Sequence, residues 1–244
     1  MRNIKVMMSY CGTKYHGFQR QENAITVQEI VENSLLKILD GKTTIYGCSR
    51  TDTGVHANEY CFNFRTEKPI SMIGIQRGLN TILPDDISVF SAEEVDDSFH
   101  ARYSCVAKEY IYKIHNAESK NPFMTNLAFH YRRPLDEKLL DTVGKAFVGT
   151  HDFKTFCSAG SNKDITVRTI ERFSVIRNNN EVDILVKGDG FLYNMVRIMV
   201  GTLLNINEGR IPSEMLTEII QAKDRKMAGK TAQPQGLYLN KVYY

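Results

Sequence analysis

The 244-residue chain lacks any apolar run near the roughly 20 residues that a membrane-spanning helix needs, so a helical integral membrane protein is excluded. It also lacks a signal-peptide pattern: Met1-Arg2-Asn3-Ile4-Lys5-Val6 passes directly into a strand-like alternation with polar residues soon after. Cysteine is scarce. The five present (11, 48, 61, 105 and 157) are odd in number and form no close pairs. That weighs against a disulfide framework and a metal knuckle, and for a reducing compartment. We therefore expect a cytoplasmic protein with no membrane partner, no metal and no cofactor. Glycine and proline are scattered singly, so no long linker is marked. The most polar irregular stretch is residues 157–164, a loop able to close over a ligand or simply to connect two elements.

A hydrophobic content of 42% and a charged content of 24% are ordinary for a globular chain. The net charge of +3 is too small to argue for a polyanionic partner by itself. Its distribution says more: residues 1–103 carry 11 Lys and Arg against 13 Asp and Glu, whereas residues 104–244 carry 20 against 15. A basic second half suits a nucleic acid.

Periodicity gives the fold class. A strand pattern over 4–10 leads to Thr26-x-x-Glu29, a capping box that opens a helix with Val27, Ile30, Val31, Leu35, Ile38 and Leu39 at helical spacing. Strand-like runs at 43–46 and 58–64 follow, the second alternating Tyr60, Phe62 and Phe64 onto one face. A helix from about Ser71 and a strand at 87–94 complete a β-α-β-β-α-β order, the ferredoxin-like unit. In the second half, strands are expected at 107–114, 127–131, 167–176, 182–187 and 237–242, with helices at 136–147, 191–205 and 212–222. A second β-α-β-β-α-β order lies within that list. The reading is an α+β protein with two subdomains, 1–103 and 104–244.

Between the two central strands of the first half lies Gly47-Cys48-Ser49-Arg50-Thr51-Asp52-Thr53-Gly54-Val55-His56-Ala57. It sets one carboxylate between two threonines on a Gly-bounded loop. With the loop extended, Arg50 and Asp52 point the same way, and a nearby guanidinium holds a carboxyl at or below its usual value of about 3.9. An ionised, positioned carboxylate serves as a nucleophile or a charge stabiliser, not as a general acid at neutral pH. The same residues also suit a surface ion pair in a turn.

This segment resembles the Arg-Thr-Asp-x-Gly-Val-His-Ala signature of the tRNA pseudouridine synthase A (TruA) family. The resemblance runs along nearly the whole chain. It includes Tyr10-x-Gly12-Thr13-x-Tyr15-x-Gly17-Phe18-Gln19-Arg20-Gln21, Phe99-His100-Ala101-Arg102, Lys108-Glu109-Tyr110-Ile111-Tyr112, His151-Asp152-Phe153, Gly190-Phe191-Leu192-Tyr193-Asn194-Met195-Val196-Arg197 and Pro234-Gln235-Gly236-Leu237-Tyr238-Leu239. It implies two ferredoxin-like halves joined into a mostly antiparallel sheet, with helices on the outer face, a central RNA-binding cleft and a homodimer. It also implies isomerisation of uridine to pseudouridine in the anticodon stem-loop of tRNA.

The resemblance assigns Asp52 as the nucleophile, Tyr110 as a platform for the target base and an aid to proton removal at C5, and Arg197 as the partner of the catalytic carboxylate. Each also has a plainer reading, as a turn residue, a half-buried strand tyrosine and a snorkelling helix arginine. Arg20, Arg50, Arg102, Lys108, His56 and Phe191 are the expected substrate contacts, and Arg168 a further phosphate contact. His100 and His151 are read as structural or RNA-lining, and the His151-Asp152 pair as a turn or helix end. Ser49, Asp189 and Gln233 depart from the family's usual residues without touching Asp52, Tyr110 or Arg197. Two other readings stand beside this one: a synthase for another RNA, such as ribosomal RNA, and a non-catalytic RNA-binding module. The strand at 58–64 lacks the Lys/Arg-Gly-Phe opening of an RRM. A zinc-dependent deaminase fails because its His-x-Glu and Pro-Cys-x-x-Cys motifs are missing.

Overall fold

A computed structural model describes residues 1–158 and 165–244. Of the polar stretch 157–164, residues 159–164 lie outside the described residues. Among the described residues the chain forms ten strands, paired mostly antiparallel, and five α-helices, which makes it an α+β protein. Two compact units result: Met1–Val106 with Tyr238–Tyr244, and Ala107–Leu237.

In the first unit β1 (Arg2–Tyr10) is the central strand, flanked antiparallel by β3 (His56–Thr66) and β4 (Ile87–Val95). β2 is only Tyr46–Gly47 and pairs with Phe62 and Asn63 of β3. The spatial order 4-1-3-2 is that of the ferredoxin-like unit. β10 (Leu237–Tyr243) runs parallel to the start of β3, with Tyr238 opposite His56 and Leu239 opposite Ala57.

Helix α1 (Val27–Leu39) starts where the capping box predicts. Thr26 is the N-cap, and its hydroxyl accepts from the Glu29 amide at 3.4 Å, which satisfies one of the orphan donors of the first turn. It ends at Asp40 in the left-handed region, and α2 (Met72–Ile82) is capped by Ser71. The aromatic alternation on β3 is real: Tyr60, Phe62 and Phe64 are fully buried. Cys61 and Asn63, on the opposite face, are buried too, so both faces of this strand are covered.

The second unit is built on β5 (Ala107–Asn116), β9 (Glu181–Gly188) and β8 (Val167–Asn178), antiparallel in that spatial order. β6 (Phe129–Tyr131) adds parallel to β5, and β7 (Gly149–Asp152) antiparallel to β8. Taking β5, α3 (Glu137–Gly144), β8, β9 and α4 (Met195–Asn207) in chain order, the three strands lie 1-3-2, as in the first unit.

Several details differ from the pattern reading, and β2 is one of them: it covers Tyr46–Gly47 where a strand over 43–46 is expected. His151 and Asp152 are not a turn or helix end but the close of β7, after which Asp152 caps a 3-10 turn through the Lys154 amide. Helix α4 begins at Met195 rather than near Phe191, because Asn194 adopts φ 60° and interrupts the helical path. The expected helix over 212–222 is a 3-10 turn followed by the short α5 (Leu216–Gln221). Among the described residues no helix is long and apolar enough to cross a membrane.

Candidate active site

The segment carrying Asp52 is clamped at nearly every residue. Its entry is held by Tyr60, whose Oη donates to the Ser49 carbonyl and accepts from the Ser49 amide at 3.4 Å. The Cys48 amide bonds the Cys61 carbonyl at 2.9 Å. The Tyr60 ring stacks on Phe18, with centroids 4.3 Å apart. Thr51, immediately before Asp52, is buried and shares a 2.8 Å hydrogen bond with the Tyr10 hydroxyl. After Asp52 the chain turns, the Val55 amide closing on the Asp52 carbonyl at 3.1 Å.

The N-terminal motif supplies the other jaw. The Phe18 amide donates to the Thr51 carbonyl at 3.2 Å, and the Gly54 amide to the Tyr15 carbonyl at 3.2 Å. The approach is close enough to demand glycine. At Gly17 (φ +85°) an added Cβ would lie 2.4 Å from the Thr51 carbonyl oxygen, and at Gly12 one would lie 1.9 Å from that of Val55. The spacing Gly12-x-x-Tyr15-x-Gly17-Phe18 is thereby explained: two glycines let the backbones meet, and two aromatics fix the contact. Burial, with the Asp86 carboxylate as acceptor, pushes the Tyr15 phenol above its ordinary value, so it remains a donor.

His56 is 1% exposed. Its Nδ1 accepts the Gly12 amide at 3.0 Å, and its ring stacks on Tyr238 at 4.5 Å. These contacts tie the Asp52 segment to both the N-terminal motif and β10. Asp52 itself is half-buried, and Arg50 beside it is exposed. The Cys61 thiol, a competing nucleophile on the neighbouring strand, is pushed by burial up to about 12 and stays protonated.

The second unit holds the other residues singled out from the sequence. Tyr110 is 7% exposed on β5, paired with Val186 of β9, and meets the Phe191 ring edge-on at 4.9 Å. Arg197 lies in the first turn of α4. Its Nε donates to the Ala232 carbonyl at 2.8 Å, and its Nη1 to Asn194 Oδ1 at 2.7 Å. A fork held at two nitrogens has its direction fixed, which a lysine cannot reproduce. The Ala232 amide bonds back to the Arg197 carbonyl at 3.0 Å. The segment reaches α4 this closely because Gly201 has no side chain: a Cβ there would sit 1.7 Å from the Lys230 carbonyl oxygen.

Asn194 is a residue whose structural part pattern reading understates. It carries the positive φ that starts α4, orients Arg197, and donates to Ser158 Oγ at 2.9 Å. The unusual backbone of an asparagine just before a helical run is the signal that points to it. Tyr112, two residues beyond Tyr110, is fully buried and donates to the Gln233 carbonyl at 2.8 Å. Burial raises its phenol far above the ordinary value, and the positive charge of Arg197 opposes the rise.

The remaining candidates are spread out. Arg20 is half-exposed and bridges Glu29 and Glu32 of α1 at 3.5 and 2.9 Å. Arg102 is exposed, Lys108 is half-buried opposite Gly188, and Arg168 donates to the carbonyls of Ile165 and Val167. Among the described residues no group of three or more His, Cys, Asp or Glu side chains could hold a metal ion.

Each unit by itself holds groups of one class, able to act by positioned charge and stacking: a carboxylate on a braced loop in the first, and a guanidinium and an aromatic ring in the second. Comparison with known proteins makes the class specific. A family model described as tRNA pseudouridine synthase matches residues 6–104 and 144–244. The chain is 43% identical to "tRNA pseudouridine synthase A" of Thermoanaerobacter sp. (strain X514) over 244 residues, covering all of both chains. It is 45% identical to the protein of the same name from Clostridium botulinum (strain Eklund 17B / Type B), and 42% to "tRNA pseudouridine synthase A 2" of Clostridium perfringens (strain 13 / Type A), again over the whole of each. The chain belongs to the tRNA pseudouridine synthase family, whose members are isomerases acting on RNA.

Proposed function

We propose that this chain converts uridine to pseudouridine on the 3′ side of the anticodon stem-loop of tRNA, with Asp52 as the nucleophile. The observation that carries the reading is the bracing of the Asp52 segment. Tyr10, Tyr60, Phe18 and the Gly12–Gly17 backbone hold in one place the chain that carries half-buried Asp52, which is far more than a surface turn needs. The reaction breaks the C1′–N1 bond, turns the base and forms C1′–C5. A proton leaves C5 and N1 takes one up, so the product is an isomer and no redox carrier is called for. A carboxylate suits it because it adds to the sugar or base, or stabilises the cation-like sugar, and then departs. Glycosidases set a second carboxylate to direct water; a single braced one favours rejoining over hydrolysis.

In this reading Tyr110 stacks on the target base, with Phe191 packed edge-on against it, and assists loss of the C5 proton. Arg197 is the catalytic cation of this reading, its direction preset by Asn194 and Ala232. Arg50, Arg102 and Lys108 contact phosphates, joined by Arg20 if its pairing with α1 is exchanged for one with RNA. The target uridine is flipped from its stack, which costs a few kcal/mol and is cheapest in a loop or a weak stem end. The reading also has the chain acting in the cytoplasm as a homodimer.

The test is to treat unmodified tRNA with the protein, isolate the anticodon stem-loop fragment and separate its nucleosides. Pseudouridine in that fragment supports the reading. Pseudouridine formed only in ribosomal RNA moves the substrate, and none in any RNA returns the chain to a binding role.

A further inference from the structure

The opposite face of β3 carries a feature of which the reading above uses only Arg102. Residues 96–104 form a loop pinned over that face by buried amides. Asn3 Nδ2 donates to the carbonyls of Asp96 and Phe99, each at 2.9 Å. Asn63 Nδ2 donates to Asn3 Oδ1 at 2.9 Å, and Asn63 Oδ1 accepts the Ala101 amide at 2.9 Å. The Tyr244 hydroxyl donates to the Ala101 carbonyl at 2.8 Å. Within the loop, the His100 amide donates to Ser104 Oγ at 3.0 Å and the Ser104 amide to the His100 carbonyl at 2.9 Å. A fully satisfied buried network of this kind rigidifies what it holds.

What it holds is aromatic and turned to water. The His100 ring lies 4.4 Å from Tyr103 and 5.1 Å from Tyr46. Tyr103 is 77% exposed and Tyr46 45%. The Arg102 guanidinium stands 5.7 Å from the Tyr103 ring centre, and most of that ring remains open. The Arg102 amide donates to His100 Nδ1 at 3.1 Å, which helps to hold the imidazole in one orientation. Tyr46 sits on β2, six residues before Asp52, so by chain reach their Cα atoms lie within about 20 Å of each other.

We propose that Tyr46, His100 and Tyr103, with Arg102, form a stacking platform for unpaired nucleobases of the RNA substrate, separate from the pocket for the target uridine. The inference rests on the RNA-modifying reading above. Rings carried on a pinned loop and an adjoining strand lose less freedom when a base stacks on them than rings on a free chain. Every base presents a π face, and a guanidinium beside the ring serves the adjoining phosphate. The ligand class is single-stranded RNA, such as the loop nucleotides next to a stem.

The experiment is fluorescence anisotropy with a labelled, unmodified tRNA transcript at several salt concentrations, using the wild type, Tyr103→Ala, Tyr103→Trp, Tyr46→Ala and Arg102→Gln. Loss of a stacked ring weakens binding by about five- to 150-fold. Tyr103→Ala is expected near ten-fold, with the slope of log K against log salt unchanged and affinity restored in Tyr103→Trp. Arg102→Gln is expected to lower that slope by about one unit, as loss of a phosphate contact does. Affinity unchanged in both alanine variants overturns the platform while leaving wild-type isomerisation intact. Weakened binding accompanied by dissociation of an oligomer in sedimentation overturns it in favour of a protein interface. A wild type that neither binds nor modifies tRNA overturns this inference together with the function it rests on.

Discussion

Gly17→Ala is the most telling backbone perturbation, because the structure gives its magnitude. The substitution forces a side chain into φ +85°, a left-handed conformation that costs about 1–2 kcal/mol for an L-residue. Its Cβ would also meet the Thr51 carbonyl oxygen at 2.4 Å, where ordinary contact begins at 3.4 Å. The two backbones must part by roughly 1 Å, and the Phe18 amide to Thr51 carbonyl bond loses about 1 kcal/mol more. The expected loss of stability is therefore about 2–3 kcal/mol. Asp52 follows Thr51 directly, and a displacement near 1 Å at a reacting group costs about 100-fold in rate. Gly209→Ala is the matched control: its φ is +67°, but an added Cβ meets nothing within 4 Å. It carries the conformational cost alone, with no effect on rate. Urea unfolding and single-turnover conversion of tRNA uridine, run on both variants, separate the two contributions. A Gly17→Ala protein that reacts at the wild-type rate would refute the claim that the N-terminal motif positions Asp52.

Three further outcomes are expected. Arg197→Lys keeps the charge but loses the fork that Ala232 and Asn194 orient, so tRNA conversion falls at least ten-fold; unchanged conversion would mean charge alone suffices. Tyr112→Phe removes the hydroxyl that donates to the carbonyl of the exposed Gln233 and costs about 0.5–1.5 kcal/mol in urea unfolding; a neutral result would show that water replaces the lost donor. Asp141 accepts a hydrogen bond from Lys145 at 2.9 Å, which holds its carboxyl below the usual range. A carboxyl lowered in the folded state stabilises above its unfolded value of about 3.9 and loses that contribution as pH falls through the folded value. Wild type and Asp141→Asn should thus differ in urea midpoint at pH 7 and converge in acid below about pH 4; a difference constant with pH would contradict the assignment.

How much of this was legible follows from where each signal lies along the chain. The first-half order was readable because all its strands but β2 are long, and its helices are periodic and capped by nearby residues, as Thr26 and Ser71 show. The Asp52 motif was readable because its residues are contiguous. β7 was not, since four residues offer too little alternation to set strand against turn. The start of α4 was misplaced because apolar spacing continues through Leu192 while the backbone does not become helical until after Asn194. The purposes of Gly12, Gly17 and Gly201 were hidden, because each glycine answers a backbone at least 29 residues away. The aromatic platform was hidden likewise: Tyr46 and His100 meet only because β2 pairs with β3 and Asn63 draws the 96–104 loop across it.

Tritium release from C5 asks whether Asp52 carries the chemistry. Unmodified tRNA bearing 5-tritiated uridine is incubated with the wild type and with Asp52→Asn, which preserves shape and removes the charge. The wild type is expected to release tritium and Asp52→Asn none above background, with tRNA binding retained in both. Release by both proteins at comparable rates would contradict this and take Asp52 out of the reaction.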